Sequence, residues 1–252
     1  KLATEDNLRI DLISLAVDNN DIDMLNRLRA RENPQLYYRT HYLSAQHPDF
    51  DSCYNERMVK HIASSSEEVL DYIADLAKRS YVCVEYGVES VNEEVLKTIN
   101  RGHSFAEAER AIYMTAERGI TIGAHLIFGL PGESRESMLA GAVRLCDLPI
   151  NVLKLHQLQI IRDTRMADEY LKNPAAFRLY SLEEYLDFVV DVIEYIRPEV
   201  YLERFVNQAP EEYLIAPRWG VKNFEFVAKL DKRLQERDSW QGKKRGFENL
   251  FI

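Results

Sequence analysis

Two stretches of this sequence combine ionisable side chains with backbone that a ligand could approach. The first, Gly123-Ala-His-Leu-Ile-Phe-Gly-Leu-Pro-Gly-Glu133, sets one imidazole, His125, inside an apolar run and closes with two glycines and a proline. Glycine admits close approach, and the N-terminus of a following helix favours anionic groups. Taken alone the stretch is a tight turn between a buried strand and a helix, and most such turns bind nothing. A lone histidine in an apolar strand is more often a satisfied core residue than a catalyst. The second stretch, Val84-Glu-Tyr-Gly-Val-Glu-Ser90, delivers Glu89 to a strand end. There it serves a polar ligand or, equally, neighbours the N-cap of the next helix. Arg101 and His103 fall between two helical stretches and could as well be surface residues.

Cysteine chemistry is confined to Cys53, Cys83 and Cys146. They are too far apart for a CxxC or CxxxCxxC motif, and no close histidine pair supplements them, so no metal ligand is assigned. Cys83 alternates within an apolar strand and Cys146 ends a helical pattern, which predicts buried, reduced thiols. Cys53 stands in a polar loop with no assigned role.

The elements that must position these residues follow from periodicity. Strands are expected at 81–86, 120–128, 151–161 and 200–205, and helices at 66–78, 92–99, 104–119, 134–145, around Met166, at 181–196 and at 222–237. Ser66, Ser104 and Ser134 are the expected helix starts and Gly119 a helix end. Before them, helical spacing recurs over 8–28 with a break at Asn19-Asn20-Asp21, and 33–51 reads as an irregular connector. Strands alternating with helices imply βα units and a parallel sheet, whose ligands sit at the strands' C-terminal ends. The segments Gly87–Ser90, Gly129–Glu133 and His156–Arg162 are therefore the ones to watch.

Bulk properties narrow the class. With 46% hydrophobic and 29% charged residues the chain is an ordinary globular one, and its 252 residues suit one large domain or a domain with an extension. No apolar run nears the roughly 20 residues a membrane span needs. Lys1 to Arg9 has no apolar core of a signal peptide, so a cytoplasmic location is expected. A net charge of −9 argues against a nucleic-acid partner, and Lys243-Lys244-Arg245 reads as a solvated tail.

Three segments together resemble the second half of a radical S-adenosylmethionine (radical SAM) core: Val84–Ser90, Ile99-Asn-Arg-Gly-His103 and Gly123–Glu133. Leu153-Lys-Leu-His-Gln-Leu-Gln159, Leu214-Ile-Ala-Pro-Arg-Trp219 and Trp240-Gln-Gly-Lys243 narrow the resemblance to the YhcC-type branch, related to the oxygen-independent coproporphyrinogen oxidases. It covers about residues 67–243. What it implies is an α/β fold, a partial (βα) barrel with parallel strands, N-terminal helices and a C-terminal helical extension. The implied division is 1–65 of unassigned role, 66–198 the barrel half and 199–252 the extension.

The resemblance also implies SAM and a 4Fe-4S cluster as cofactors, with SAM cleaved to a 5′-deoxyadenosyl radical and an electron-donor protein as partner. By position, Glu89 matches a polar contact to SAM and Arg101 an arginine near its carboxylate, a group that guanidinium grips with paired hydrogen bonds. His125 matches a position near the ribose, and Ile127 to Gly129 the strand end that packs on adenine. His156 and Gln157 fall on the substrate side, where alternation lets only one of the two face inward. Some distant relatives act on tRNA. The departures are equally specific. The CxxxCxxC loop that holds the cluster is absent, a single Cys53 cannot replace it, and residues 1–65 resemble nothing in the family. Asp163, in Ile161-Arg-Asp-Thr164, stands where relatives tend to carry glycine. The alternative reading is a fragment or degenerate homologue without the cluster, acting as a non-catalytic binding or scaffold protein.

Overall fold

A computed structural model of the chain describes residues 38–39, 67–78, 81–207 and 209–247. In chain order the elements are β1 (Tyr38–Arg39), α1 (Glu67–Ala77), β2 (Val82–Glu89), α2 (Glu93–Thr98), α3 (Phe105–Ala116), β3 (Thr121–Phe128), α4 (Arg135–Cys146) and β4 (Val152–Gln157). Then come β5 (Ile160–Ile161), α5 (Arg165–Lys172), α6 (Leu182–Ile193), β6 (Tyr201–Arg204), β7 (Leu214–Ala216) and α7 (Asn223–Glu236), with short 3-10 turns at Pro174–Ala176 and Lys243–Arg245. The main sheet has the order β1-β2-β3-β4-β6. β1 pairs parallel with β2, and β4 parallel with β6. With helices connecting β2 to β3 and β3 to β4, this is the expected α/β architecture. Helices expected over 8–28, the break at Asn19–Asp21, the cap at Ser66 and the role of Cys53 lie outside the described residues.

Local chemistry sets the helix starts. Ser104 accepts the Glu107 N–H at 3.2 Å while the Glu107 carboxylate accepts the Ser104 N–H at 2.7 Å. Ser181 and Glu184 repeat this reciprocal cap on α6, Ser134 caps α4, and Asn92 caps α2. Each satisfies backbone donors that a helix start leaves unpaired. Gly119 has φ 67, but the cap of α3 is Glu117, so the glycine ends the turn after the helix rather than the helix itself.

The described residues form two compact units. One holds β1, α1, β2 as far as Gly87, residues 100–123 and residues 148–150. In it the buried Tyr86 hydroxyl bonds Thr115 Oγ1 at 2.6 Å and donates to Ala111 O, tying β2 to α3. Arg118 holds Asp71 of α1 at 2.6 Å. The other unit holds residues 88–99, 124–147 and the chain from Asn151 onward. Its core is aromatic: Phe128 of β3 meets Phe188 of α6 edge-to-face at 4.8 Å, and Tyr185 packs on Phe226 of α7 and on Trp219. Among the described residues no helix is long and apolar enough to cross a membrane.

Two expectations are corrected here. The single strand expected over 151–161 is two. After Leu158, whose N–H donates to Phe128 O at 2.8 Å, the chain leaves the main sheet, and β5 pairs antiparallel with β7. The turn buries Leu158 and Ile160 in a second apolar cluster with Val95, Leu130 and Ala167. The stretch 33–51 is not wholly irregular, since Tyr38–Arg39 forms a strand.

Asp163 has φ 62, in the left-handed region that costs an L-residue about 1–2 kcal/mol and glycine nothing. A glycine at this place would hold the same conformation without that cost. Replacing Asp163 by Gly relieves the strain, and urea denaturation is expected to show a gain of about 0.5–1 kcal/mol, since glycine's greater unfolded-state freedom offsets part of it. A loss would mean that the carboxylate itself holds the turn.

Candidate functional site

Strand ends of the second unit carry most of the candidate residues: Glu89 on β2, His125 and Ile127 on β3, Gly129 just beyond it, and His156 and Gln157 on β4. Glu89 and Ser90 are buried, and Glu89 has φ 64. The turn that follows is pinned. Ser90 Oγ donates to Glu133 Oε1 at 2.6 Å and accepts the Asn92 N–H at 3.0 Å. The end of β2 is thereby fixed to the turn after β3. Burial pushes the Glu133 carboxyl above the usual carboxylate range, and the Ser90 bond opposes this in part. Gly129 has φ 98, a conformation its missing Cβ permits, and its N–H points to Met138 Sδ at 3.1 Å.

His125 is buried, as a core histidine would be, but its neighbour is another imidazole. The rings of His125 and His156 lie 5.5 Å apart at 54°. Since side chains alternate along a strand, this contact assigns the faces. His125 and Ile127 share a face with Lys154 and His156, whereas Phe128, Leu153, Leu155 and Gln157 belong to the other. Phe128 packs on α6, so that second face is the helix-covered one. Gln157 is engaged there with backbone: its Oε1 accepts the Asn207 N–H at 3.0 Å and its Nε2 donates to Asn207 O at 3.2 Å. Of the pair His156 and Gln157, it is His156 that shares the face of His125.

Lys154 was not singled out by the sequence. Its side chain is 3% exposed and its ammonium lies 3.3 Å from the carboxylate of Glu203 on β6, which is 43% exposed. The signal was the alternation Leu-Lys-Leu-His, polar at every second position of a strand.

Arg101 belongs to the other unit, where its guanidinium donates to Gly87 O at the end of β2. Arg101 and His103 are 7% and 5% exposed, so neither is a surface residue. Burial and the neighbouring Arg101 push His103 down to about 4, leaving it neutral at ordinary pH. Lys243, Lys244 and Arg245 are not a free tail either: they contact the Trp240 ring, Glu194 and Asp147.

Comparison with known proteins settles the ancestry. The radical SAM superfamily model matches residues 10–140, and the radical SAM C-terminal domain matches residues 150–236. The chain belongs to the radical SAM superfamily. The superfamily match reaches back to residue 10, so the expectation that residues 1–65 resemble nothing in the family is overturned. The chain is 34% identical to the uncharacterised YtqA protein of Bacillus subtilis, over 70% of its own length and 54% of that protein's. It is 32% identical to YhcC of Escherichia coli K12, over 68% and 55%. It thus spans a little over half of these relatives. Among solved structures, the Elp3 of the archaeon Methanocaldococcus infernus, with an N-terminal deletion, superposes with a TM-score of 0.56 at 20% identity, over 78% of this chain and 52% of that one. That likeness is one of fold.

The radical SAM family implies a 4Fe-4S cluster, and the cysteines do not fit one. Cys83 and Cys146 are buried in separate elements, and burial pushes the Cys146 thiol up to about 12, which keeps it protonated. Iron–sulfur clusters need thiolates. Among the described residues no three His, Cys, Asp or Glu side chains converge as a metal site requires.

Proposed function

We propose that these residues supply the SAM-binding and substrate-facing part of a radical SAM enzyme. The observation that carries the reading is Glu89. It is a non-glycine residue at φ 64 on the C-terminal end of a sheet strand, with Ser90 locked to Glu133 behind it. Such a conformation costs about 1–3 kcal/mol and persists where the surroundings impose it, most often at ligand sites. The donor set suits SAM: a carboxylate for its amino group, an imidazole near a ribose, and the partly buried Ile127 as an apolar surface for adenine.

The radical chemistry of the superfamily belongs to SAM and its cluster, while protein positions and shields them. Reductive cleavage of SAM requires three closely spaced thiolates, which this sequence does not contain, so the proposal for these residues is confined to binding and positioning. The same observation favours a second reading, a SAM-binding module without radical turnover. Iron and sulfide analysis after anaerobic reconstitution separates the two: a chain that stays iron-free has no radical activity of its own.

Calorimetry tests the common part. SAM is expected to bind, and Glu89→Ala is expected to weaken it on the order of ten- to a hundredfold, the loss of about 1.5–3 kcal/mol from a charge-assisted hydrogen bond. Unchanged affinity in the variant removes Glu89 from the site.

A further inference from the structure

β2 ends in a turn that is strained for the residue it contains. Glu89 stands at φ 64 while the Ser90 N–H donates to Val88 O at 2.8 Å. A bond between residues two apart, with a positive φ between them, makes a γ-turn of the rare and strained form. Glycine takes such a backbone freely, whereas a residue with a side chain needs surroundings that impose it. Two contacts supply them. Ser90 is buried, and its hydroxyl donates to Glu133 Oε1 at 2.6 Å while accepting the Asn92 N–H at 3.0 Å. Val91 rests on α4, so close that a Cβ on Gly141 would stand 2.9 Å from Val91 Cγ2. Glu133 in turn sits on a stiff mount. Leu130-Pro131-Gly132-Glu133 closes with the Glu133 N–H on Leu130 O at 3.3 Å, and Gly132 has φ 88. Proline second and a positive-φ glycine third are what a type II turn requires.

We propose that Glu133 is a positioning residue: through Ser90 it holds Glu89 in the γ-turn and so fixes how the Glu89 carboxylate is presented to a ligand. The proposal rests on the reading of Glu89 as a SAM contact and adds the residue that sets its geometry. A serine hydroxyl has one proton to donate. With that proton on Glu133, a lone pair is left to face the Asn92 N–H, and Asn92 itself caps α2. The carboxylate thus orients the hydroxyl, and the hydroxyl orients the chain next to Glu89. Without Glu133 the buried hydroxyl loses its acceptor and the γ-turn its hold from the turn after β3. A site whose competent conformation is only partly populated binds more weakly by that fraction.

The test uses the whole chain and two readouts. One is the three-bond coupling between the Glu89 amide and its Hα, which reports φ in the ligand-free protein. The other is calorimetry with SAM. Glu133→Ala should move the coupling toward extended values and weaken SAM on the order of tenfold, as expected if the competent turn falls to about a tenth of the population. Ser90→Ala should reproduce both effects. Glu133→Gln keeps an acceptor oxygen for Ser90, so it should hold the coupling and recover most of the affinity. Glu89→Ala combined with Glu133→Ala should bind no more weakly than Glu89→Ala alone, because the effect of Glu133 runs through Glu89. The proposal is overturned if Glu133→Ala leaves the coupling where it was, or if the losses in the double variant add. It is overturned equally if Glu133→Gln binds as weakly as Glu133→Ala, which would make the charge itself a ligand contact. Should Glu133→Ala not fold, Ser90→Ala decides by the same two readouts. A parent chain that does not bind SAM removes the cofactor reading, and the coupling in the variants then decides this inference by itself.

Discussion

Phe188→Ala is expected to lower the unfolding free energy by about 3–5 kcal/mol, the range found for deleting a large aromatic side chain from a packed core. Phe188 is fully buried at the centre of α6. It takes the edge of Phe128 at 4.8 Å, stacks within 9° of Tyr180 at 5.6 Å, and lies under the Arg135 guanidinium at 4.7 Å. These contacts come from β3, α4 and the segment before α6, so no single neighbour can move in and fill the space. The relaxation that would reduce the cost is blocked, because Arg135 is also tied to Asp191. Urea denaturation of the purified chain measures the loss, with Tyr113→Ala, at a position 48% exposed, as the surface control expected within about 0.5 kcal/mol of the parent. A Phe188→Ala cost below about 1 kcal/mol would mean that the aromatic cluster is loosely packed. The effect should reach the site as well. Phe128 lies three residues from His125 on the opposite face of β3, so slack behind the strand loosens the imidazole pair in front of it.

That coupling between a helix-covered face and a polar face was only half legible in the sequence. Helix starts were readable because their chemistry is local: Ser104 with Glu107 and Ser181 with Glu184 are three residues apart. Strand ends were readable through glycine, and Glu89 and His125 with them. What depends on distant partners was not. β5 and β7 pair residues more than fifty positions apart, and nothing near Ile160 announces Ala216. Ser90 and Glu133 are 43 residues apart, so the lock behind Glu89 needed coordinates. Lys154 is the instructive miss, since an alternating lysine in a strand normally marks a solvated face. Its burial inverts the meaning. The motifs at 214–219 and 240–243 carried the family resemblance, yet their side chains work in the scaffold: Trp219 Nε1 donates to Tyr180 O at 3.1 Å, and Gln241 Nε2 donates to Arg197 O and Val200 O at 2.9 and 2.8 Å. A family pattern thus includes residues whose side chains close the scaffold.

Closure of the C-terminal segment depends on Glu194, and Glu194→Ala is expected to cost about 2–3 kcal/mol, the scale of a charged group losing its hydrogen bonds. The carboxylate is buried at the end of α6, where it receives Ser239 Oγ–H and the Lys244 ammonium. The backbone repeats the attachment, with Gly242 N–H on Ile193 O at 3.1 Å and Lys244 N–H on Glu194 O at 2.9 Å. Gly242 has φ 81, and a Cβ there would stand 2.8 Å from the Phe247 ring, so the turn that brings Lys244 round requires glycine. Burial alone would push the Glu194 carboxyl up. The hydrogen bonds from Lys244 and Ser239 and the charge of Arg237 outweigh it and hold the group below its ordinary 4.5. A carboxyl depressed in the folded state stabilises fully above its unfolded value and loses that contribution as pH falls through the folded one. On the alkaline side, Lys244 is raised above its ordinary 10.5 by the Glu194 bond, so its share is complete below that value and fades as pH climbs past it. The stability difference between the parent and Glu194→Gln should therefore be flat across neutral pH, and should shrink in acid below 4.5 and again in strong alkali. Amide exchange at Gly242 and Lys244 should speed up in the variant before exchange in α6 does, because the clasp opens without the helix. A pH-independent difference, or exchange that rises equally in both places, would show that Glu194 acts through packing and not through its charge.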